Sequence, residues 1–253
     1  MKKTLLLTLL FLLFSSIAFA QFVGNDGISA DLMLKFQWTR VKEGDDWITG
    51  PELEAAARLL FPGKGLLRTG LSGAVSISFP KQMEFTFPQF ESTPLPDIGH
   101  PKPGDTYTFS WNDMDLFGIS AFVGLTTQAP LVPGFITLVT DMGVIFGWDS
   151  ASSENGYLYG GSRRLYLDLS NNFFGLGVGV GLQVALGSIL VEAGVNLKYT
   201  FMQWSTVYLY TALPSEKSDS SKRDVLVDSS GNIEFSNVFR FGVPYIAAGY
   251  KFR

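Results

Sequence analysis

Residues 174–201 read FGLGVGVGLQVALGSILVEAGVNLKYTF, and the period of this stretch decides the fold. From Phe174 to Leu186 the bulky residues Leu176, Val178, Val180, Leu182 and Val184 take even numbers, while Gly175, Gly177, Gly179 and Gly181 take odd ones. From Ile189 to Phe201 the apolar set moves to odd numbers, leaving Glu192, Asn196 and Lys198 on the other face. A period of two belongs to strands, whose successive side chains point to opposite faces. One apolar helix through this region would carry Gly175, Gly177, Gly179, Gly181 and Gly187, each costing about 1 kcal/mol relative to Ala. Two strands turning at Gly187-Ser188 avoid that cost. Glycine at every second position also departs from the GxGxxG spacing of a nucleotide loop.

Working outward, the same alternation marks residues 28–39, where Ile28, Ala30, Leu32, Leu34, Phe36 and Trp38 oppose Ser29, Asp31, Met33, Lys35, Gln37 and Thr39. It recurs at 67–79, 117–126 and 136–148, in a shorter Phe-rich run at 83–90, and at 236–252, where a change of parity predicts a bulge near Pro244. These are eight strands. Short links near Pro80-Lys81, 128–134 and Gly187-Ser188 alternate with long polar ones at 40–65, 91–105, 149–162 and 211–233. Short turns on one side and long loops on the other are the asymmetry of a membrane barrel. Within the first long loop, Thr49-Gly50-Pro51-Glu52 reads as a capping box opening a short helix over 51–61, with Leu53, Ala57, Leu60 and Phe61 on one stripe.

Alternation alone does not separate a membrane barrel from a soluble one, because their faces are merely inverted. Residue size separates them. The polar face is largely Gly and Ser, as at Gly70, Ser72, Ser76, Gly118 and Ser120, which suits the crowded interior of eight strands. The opposite face is bulky and continuous, and most strands exceed the roughly 9 to 11 residues that cross a tilted bilayer path. Trp38, Trp148, Phe201 and Trp204 are expected as an aromatic girdle on the long-loop side, and Phe79, Phe85, Phe87, Tyr250 and Phe252 on the short-turn side. The expected class is therefore all-β: an eight-stranded antiparallel up-and-down transmembrane β-barrel with a short helix in its first extracellular loop.

The chain has 253 residues and no cysteine. Residues 1–20 read as a cleaved secretory signal peptide: Lys2 and Lys3, an apolar stretch from Leu5 to Phe14, then Ala18-Phe19-Ala20 before Gln21. Residues 21–253 would form the barrel. Without the leader, 17 basic side chains face 23 acidic ones, and no basic run offers a grip on nucleic acid.

With these features, and with the closing segment Pro244-Tyr245-Ile246-Ala247-Ala248-Gly249-Tyr250-Lys251-Phe252, the whole mature chain resembles the small eight-stranded outer-membrane β-barrel proteins. That group includes the OmpA transmembrane domain, OmpX and OmpW. The resemblance implies a location in the bacterial outer membrane, contact with its lipid, and a final aromatic residue read by the barrel-assembly machinery. Here Phe252 is followed by Arg253, so that aromatic is displaced by one position.

Catalytic residue types are sparse. The single imidazole, His100, lies in a Pro-rich loop, and the acidic pairs Asp45-Asp46 and Asp113/Asp115 lack a calcium-loop pattern. The expectation is a non-enzymatic protein with no catalytic site, no metal and no cofactor. More informative are the charges within strands. Asp31, Lys35, Arg68, Glu84, Asp141, Glu192, Lys198 and Arg240 all take the parity that points away from lipid, four acids and four bases forming an expected lumen network. Interlocked pairs are tolerated in so narrow a space, whereas a lone charge is not. Two functional classes follow. The first is a largely plugged barrel with an envelope or surface-interaction role, offering loops 40–65 and 211–233 to an extracellular ligand. The alternative is a narrow pore or transporter for small, including hydrophobic, solutes.

Overall fold

The computed structural model describes residues 27–43, 46–62, 67–79, 84–86, 108–110, 114–153, 157–160, 162–230 and 238–252. The proposed leader, His100 and Phe87 lie outside these residues. Twelve strands are present among them: β1 Ser29–Glu43, β2 Asp46–Leu60, β3 Arg68–Ser78, β4 Glu84–Thr86, β5 Thr108–Ser110, β6 Met114–Val132, β7 Ile136–Ser153, β8 Tyr157–Gly160, β9 Arg163–Leu186, β10 Ile189–Ala212, β11 Asp224–Ser230 and β12 Val238–Phe252. Eight of them close a ring in the order β1-β2-β3-β6-β7-β9-β10-β12, and β12 pairs antiparallel with β1, Lys35 lying opposite Ala247. Closure leaves no free edge within the ring.

Side chains sort as the alternation requires. Asp31, Lys35, Asp141, Glu192 and Lys198 are buried inside, while Leu34, Phe36, Val123, Met142, Leu182 and Val195 are exposed outside. A water-soluble barrel would have the opposite polarity. On β9 the exposed apolar residues run from Leu176 to Leu186, a span that matches the roughly 9 to 11 residues of a transmembrane strand. No helix among the described residues is long and apolar enough to cross a membrane. The strands carry the apolar surface instead.

The helix expected at 51–61 is a strand. β2 pairs along its whole length with β1 and over Glu52–Leu60 with β3, and its buried residues alternate at Glu52, Glu54, Ala56, Arg58 and Leu60. Ala, Leu and Glu favour helices, but two neighbouring strands that need partners override an intrinsic preference worth tenths of a kcal/mol per residue. The Pro at position 51 does not interrupt the sheet. It lies where pairing with β3 ends, and its carbonyl accepts the Phe79 amide at 3.0 Å. The expected long loop at 40–65 is thereby replaced by a hairpin, with only residues 44 and 45 between β1 and β2.

The expected barrel strand at 83–90 is also corrected. Among the described residues of that run, Glu84–Thr86 is a strand, and it pairs with β5 in a two-stranded sheet separate from the ring. The ring therefore keeps eight members, with β2 in place of 83–90.

Other features match local sequence. Gly187 takes φ 70° in the tight link between β9 and β10, and Gly134 takes φ 77° between β6 and β7, a region where L side chains are strained. Register shifts opposite Pro244, between Phe36 and Trp38 on β1 and between Gly194 and Asn196 on β10, form the bulge that a donor-less residue favours. β9 and β10 are each 24 residues long, far more than the belt needs, so together with β7 they rise past it as a tall wall at the long-loop end.

Candidate functional site

The lumen is organised by β2. Arg58, 1% exposed, sends its guanidinium to two carboxylates from the opposite wall. Its Nε donates to both oxygens of Asp141 at 3.1 Å and its Nη2 to Asp141 Oδ2 at 2.7 Å. Its Nη1 donates to Glu192 Oε2 at 2.6 Å, and Nη2 also reaches Glu192 Oε1 at 2.8 Å. Glu192 further accepts the Tyr245 hydroxyl at 2.6 Å and the Gln183 amide at 3.1 Å. Planar bidentate pairing of this kind is what makes Arg the suitable cation for a buried carboxylate.

A second cluster adjoins the first. Lys35 Nζ lies 2.9 Å from Glu54 Oε1 and 5.0 Å above the Tyr245 ring. Lys198 Nζ lies 2.5 Å from Glu52 Oε1, 3.8 Å from Glu54 Oε2 and 3.5 Å from Ser76 Oγ. Beside these residues, Asp141 and Asn196 line a cavity of about 30 Å³, room for a water molecule or two and not for a solute. Toward the short-turn end, Asp31 accepts the Gln128 amide at 2.7 Å with Lys251 at 4.0 Å, and Arg68 donates to Ser29 Oγ at 2.9 Å.

The facing wall is cut back to accommodate this machinery. Gly181 and Gly194 are paired across β9 and β10, and a Cβ on either would collide with the Tyr245 hydroxyl. The small residues thus make room for the donor that holds Glu192.

Of the lumen residues expected from sequence, Asp31, Lys35, Arg68, Asp141, Glu192 and Lys198 lie on ring strands, and the ion pairs of Lys35, Asp141, Glu192 and Lys198 described above run to residues outside that set. Lys35, Asp141, Glu192 and Lys198 pair instead with Glu52, Glu54 and Arg58, for which the sequence predicts a loop helix. Glu84 sits on β4, outside the ring, so no barrel strand carries it into the lumen. Arg240 is opposite Lys198 and Val41 in register, and its side chain is outside the described residues.

The aromatic residues divide differently than expected. Trp38, Trp148 and Trp204 are exposed on the outer surface toward the long-loop end, and Phe201 stacks edge-on against Phe174 at 5.4 Å. Tyr250 and Phe252 contact each other at 4.8 Å by the short turns. Phe79 belongs with the first group: its ring lies 5.9 Å from Phe117, which lies 6.2 Å from Trp148. With β2 in the ring, β3 runs toward the long loops, so its end at Phe79 changes sides. Phe85 lies on β4, within the connection between β3 and β6 at the long-loop end.

Beyond the belt, the loop after β10 folds back onto the wall. Tyr166 and Tyr210 stack at 5.5 Å, with Arg223 4.4 Å over Tyr210 and Lys217 5.4 Å over Tyr166. Burial pushes the Tyr210 phenol above its ordinary pKa. Arg223 also pairs with Asp168 at 3.2 Å, and Lys217 donates to the Ser153 carbonyl at 2.6 Å. The segment expected as an open loop at 211–233 therefore contains regular structure: a pair of 3-10 turns, Pro214–Glu216 and Ser220–Lys222, and the strand β11.

No family model matches the chain, and no curated protein matches it. Solved structures similar to it include small outer-membrane barrels. Ail, the attachment invasion locus protein of Yersinia pestis, seen in complex with the heparin analogue sucrose octasulfate, is 15% identical with a TM-score of 0.44, covering 89% of this chain and 99% of its own. A major outer membrane protein from Thermus thermophilus is 15% identical with a TM-score of 0.42, covering 88% and 99%. Neisserial surface protein A is 12% identical with a TM-score of 0.42, covering 90% and 97%.

Proposed function

We propose that the chain is a non-enzymatic barrel of the bacterial outer membrane, closed to ion flow through its middle, whose working surface is the tall wall of β7, β9 and β10 with its pinned loop. The observation that carries this reading is the Arg58–Asp141–Glu192 cluster, in which one buried guanidinium spans from β2 to β7 and β10. A side chain tied at both ends across the lumen obstructs it, and separating the pairs would strand buried charge. The long-loop end supplies an exposed and rigid scaffold of the kind that interaction surfaces use. The residues after Pro244, ending in Tyr250 and Phe252, are the segment the assembly machinery would read.

Conductance of the refolded mature chain in planar bilayers tests the closed lumen. Absence of steady current is the expected result. Sustained channels would replace this reading with the narrow pore for small solutes.

A further inference from the structure

Immediately above the apolar belt, the outer face of the tall wall changes character within one rung. Phe146 and Phe174 are the last apolar pair, and the next rung is Trp148, Asn172 and Trp204, directly opposite one another on β7, β9 and β10. A register shift between Thr200 and Met202 puts Trp204 on the outer face, since without it the even-numbered residues of β10 face the lumen. Two strand spacings separate the indoles at their backbones, about 10 Å. Both are partly exposed. Trp148 Nε1 donates to Ser170 Oγ at 2.5 Å, which ties its ring across β9. Among the described residues, the Asn172 amide and the Trp204 indole N–H have no hydrogen-bond partner. The rung above is Ser150, Ser170 and Thr206. No lysine or arginine lies on these two rungs.

Two partly exposed indoles on either side of an amide without a partner, with hydroxyls on the rung above and no cation on either rung, suit a ligand that offers C–H faces for stacking and hydroxyls for hydrogen bonding. Acyl chains would leave Asn172 unsatisfied, and a phosphate would find no positive partner on either of these two rungs. We infer that this rung is a binding site for the saccharide head group of a glycolipid in the outer leaflet, a ligand held at this height by its own acyl chains beside the belt. The inference rests on the outer-membrane reading above and adds a lipid partner to it.

The test is native mass spectrometry of the refolded mature chain in detergent, titrated with lipid A, which carries a phosphorylated disaccharide, and with cardiolipin, which carries phosphates and four acyl chains without sugar. Lipid A is expected to be retained at least tenfold better than cardiolipin. Trp148→Ala, Trp204→Ala and Asn172→Ala should each bring lipid A down about tenfold, toward the cardiolipin level, with cardiolipin unchanged. Asn172→Ala removes only a surface amide, and a heat-shift gel shows that each variant is folded. Equal retention of the two lipids, or lipid A retention indifferent to all three substitutions, would overturn the site. Bilayer current would sink the closed lumen without touching this result, so the two failures are distinguishable.

Discussion

Arg58 and Glu192 stand 134 positions apart in the chain and meet inside the barrel through two hydrogen bonds, 2.6 and 2.8 Å long. β2 and β10 are not neighbours in the ring, so this pair is a strut across the lumen and not a contact along the wall. Asp141 takes the rest of the guanidinium, and one positive charge is shared by two negative ones.

Removing the strut should be costly. Arg58→Met leaves Asp141 and Glu192 buried without their cation, and loss of one partner of such a pair costs roughly 3 to 5 kcal/mol. Urea unfolding of the refolded barrel, followed by gel mobility, measures it. The triple variant with Asp141→Asn and Glu192→Gln should recover much of the loss, because no uncompensated charge remains. If Arg58→Met unfolds at the parent's urea concentration, the strut contributes nothing to stability.

The second cluster predicts a paired response. Lys35→Met strands Glu54, which keeps only the more distant Lys198 at 3.8 Å, and should either destabilise the barrel or admit water and current. Adding Glu54→Gln should restore both stability and low conductance, the coupling being read from the double-mutant cycle. Conductance that changes only in ion selectivity would show that the lumen is open in the parent.

Much of this was legible from alternation, and what was not has a single cause. The faces of 28–39, 174–186 and 189–201 follow from residue period, because a strand buried on one side has no other way to place Lys35 or Glu192. β2 obeys the same rule at Glu52, Glu54, Ala56, Arg58 and Leu60, yet its Ala- and Leu-rich composition and the Pro at position 51 spoke for a capped helix. The distinguishing signal is parity: Glu52, Glu54 and Arg58 share one face at period two, whereas a helix would turn Glu52 away from the face of Glu54 and Arg58. Because β2 was misplaced, the partners of Lys35, Asp141, Glu192 and Lys198 were missed. The girdle position of Phe79 was inverted for the same reason. Tyr245 has no charge to draw attention to it, and its role shows only once the fold brings its hydroxyl to Glu192 and against Gly181 and Gly194.

At the long-loop end, Arg223 fixes the 213–223 segment by stacking on Tyr210, pairing with Asp168 and donating from Nε to the Lys217 carbonyl at 2.9 Å. A partly exposed cation–π contact is worth about 0.5 to 1 kcal/mol and the surface pair no more than that. Arg223→Ala should therefore leave global unfolding almost unchanged but accelerate cleavage within 213–223 several-fold in limited proteolysis. An unaltered cleavage rate would mean that the turns hold themselves without the arginine.

The Gly181–Tyr245 contact allows a test of steric fit separate from charge. A Cβ at position 181 would collide with the Tyr245 hydroxyl and lie 3.1 Å from Glu192 Oε1, closer than atoms approach without displacement. Gly181→Ala should thus cost about 1 to 3 kcal/mol, the usual range for overpacking. Tyr245→Phe removes the colliding oxygen but also a hydrogen bond to a charged acceptor, worth about 1.5 to 3 kcal/mol. The two losses share one atom, so they should not add. In the Tyr245→Phe background Gly181→Ala should cost clearly less than it does alone, and urea midpoints of the four proteins measure the difference. Strict additivity would show that the alanine collides with something other than the phenol, leaving Gly181 without the role of making room for it.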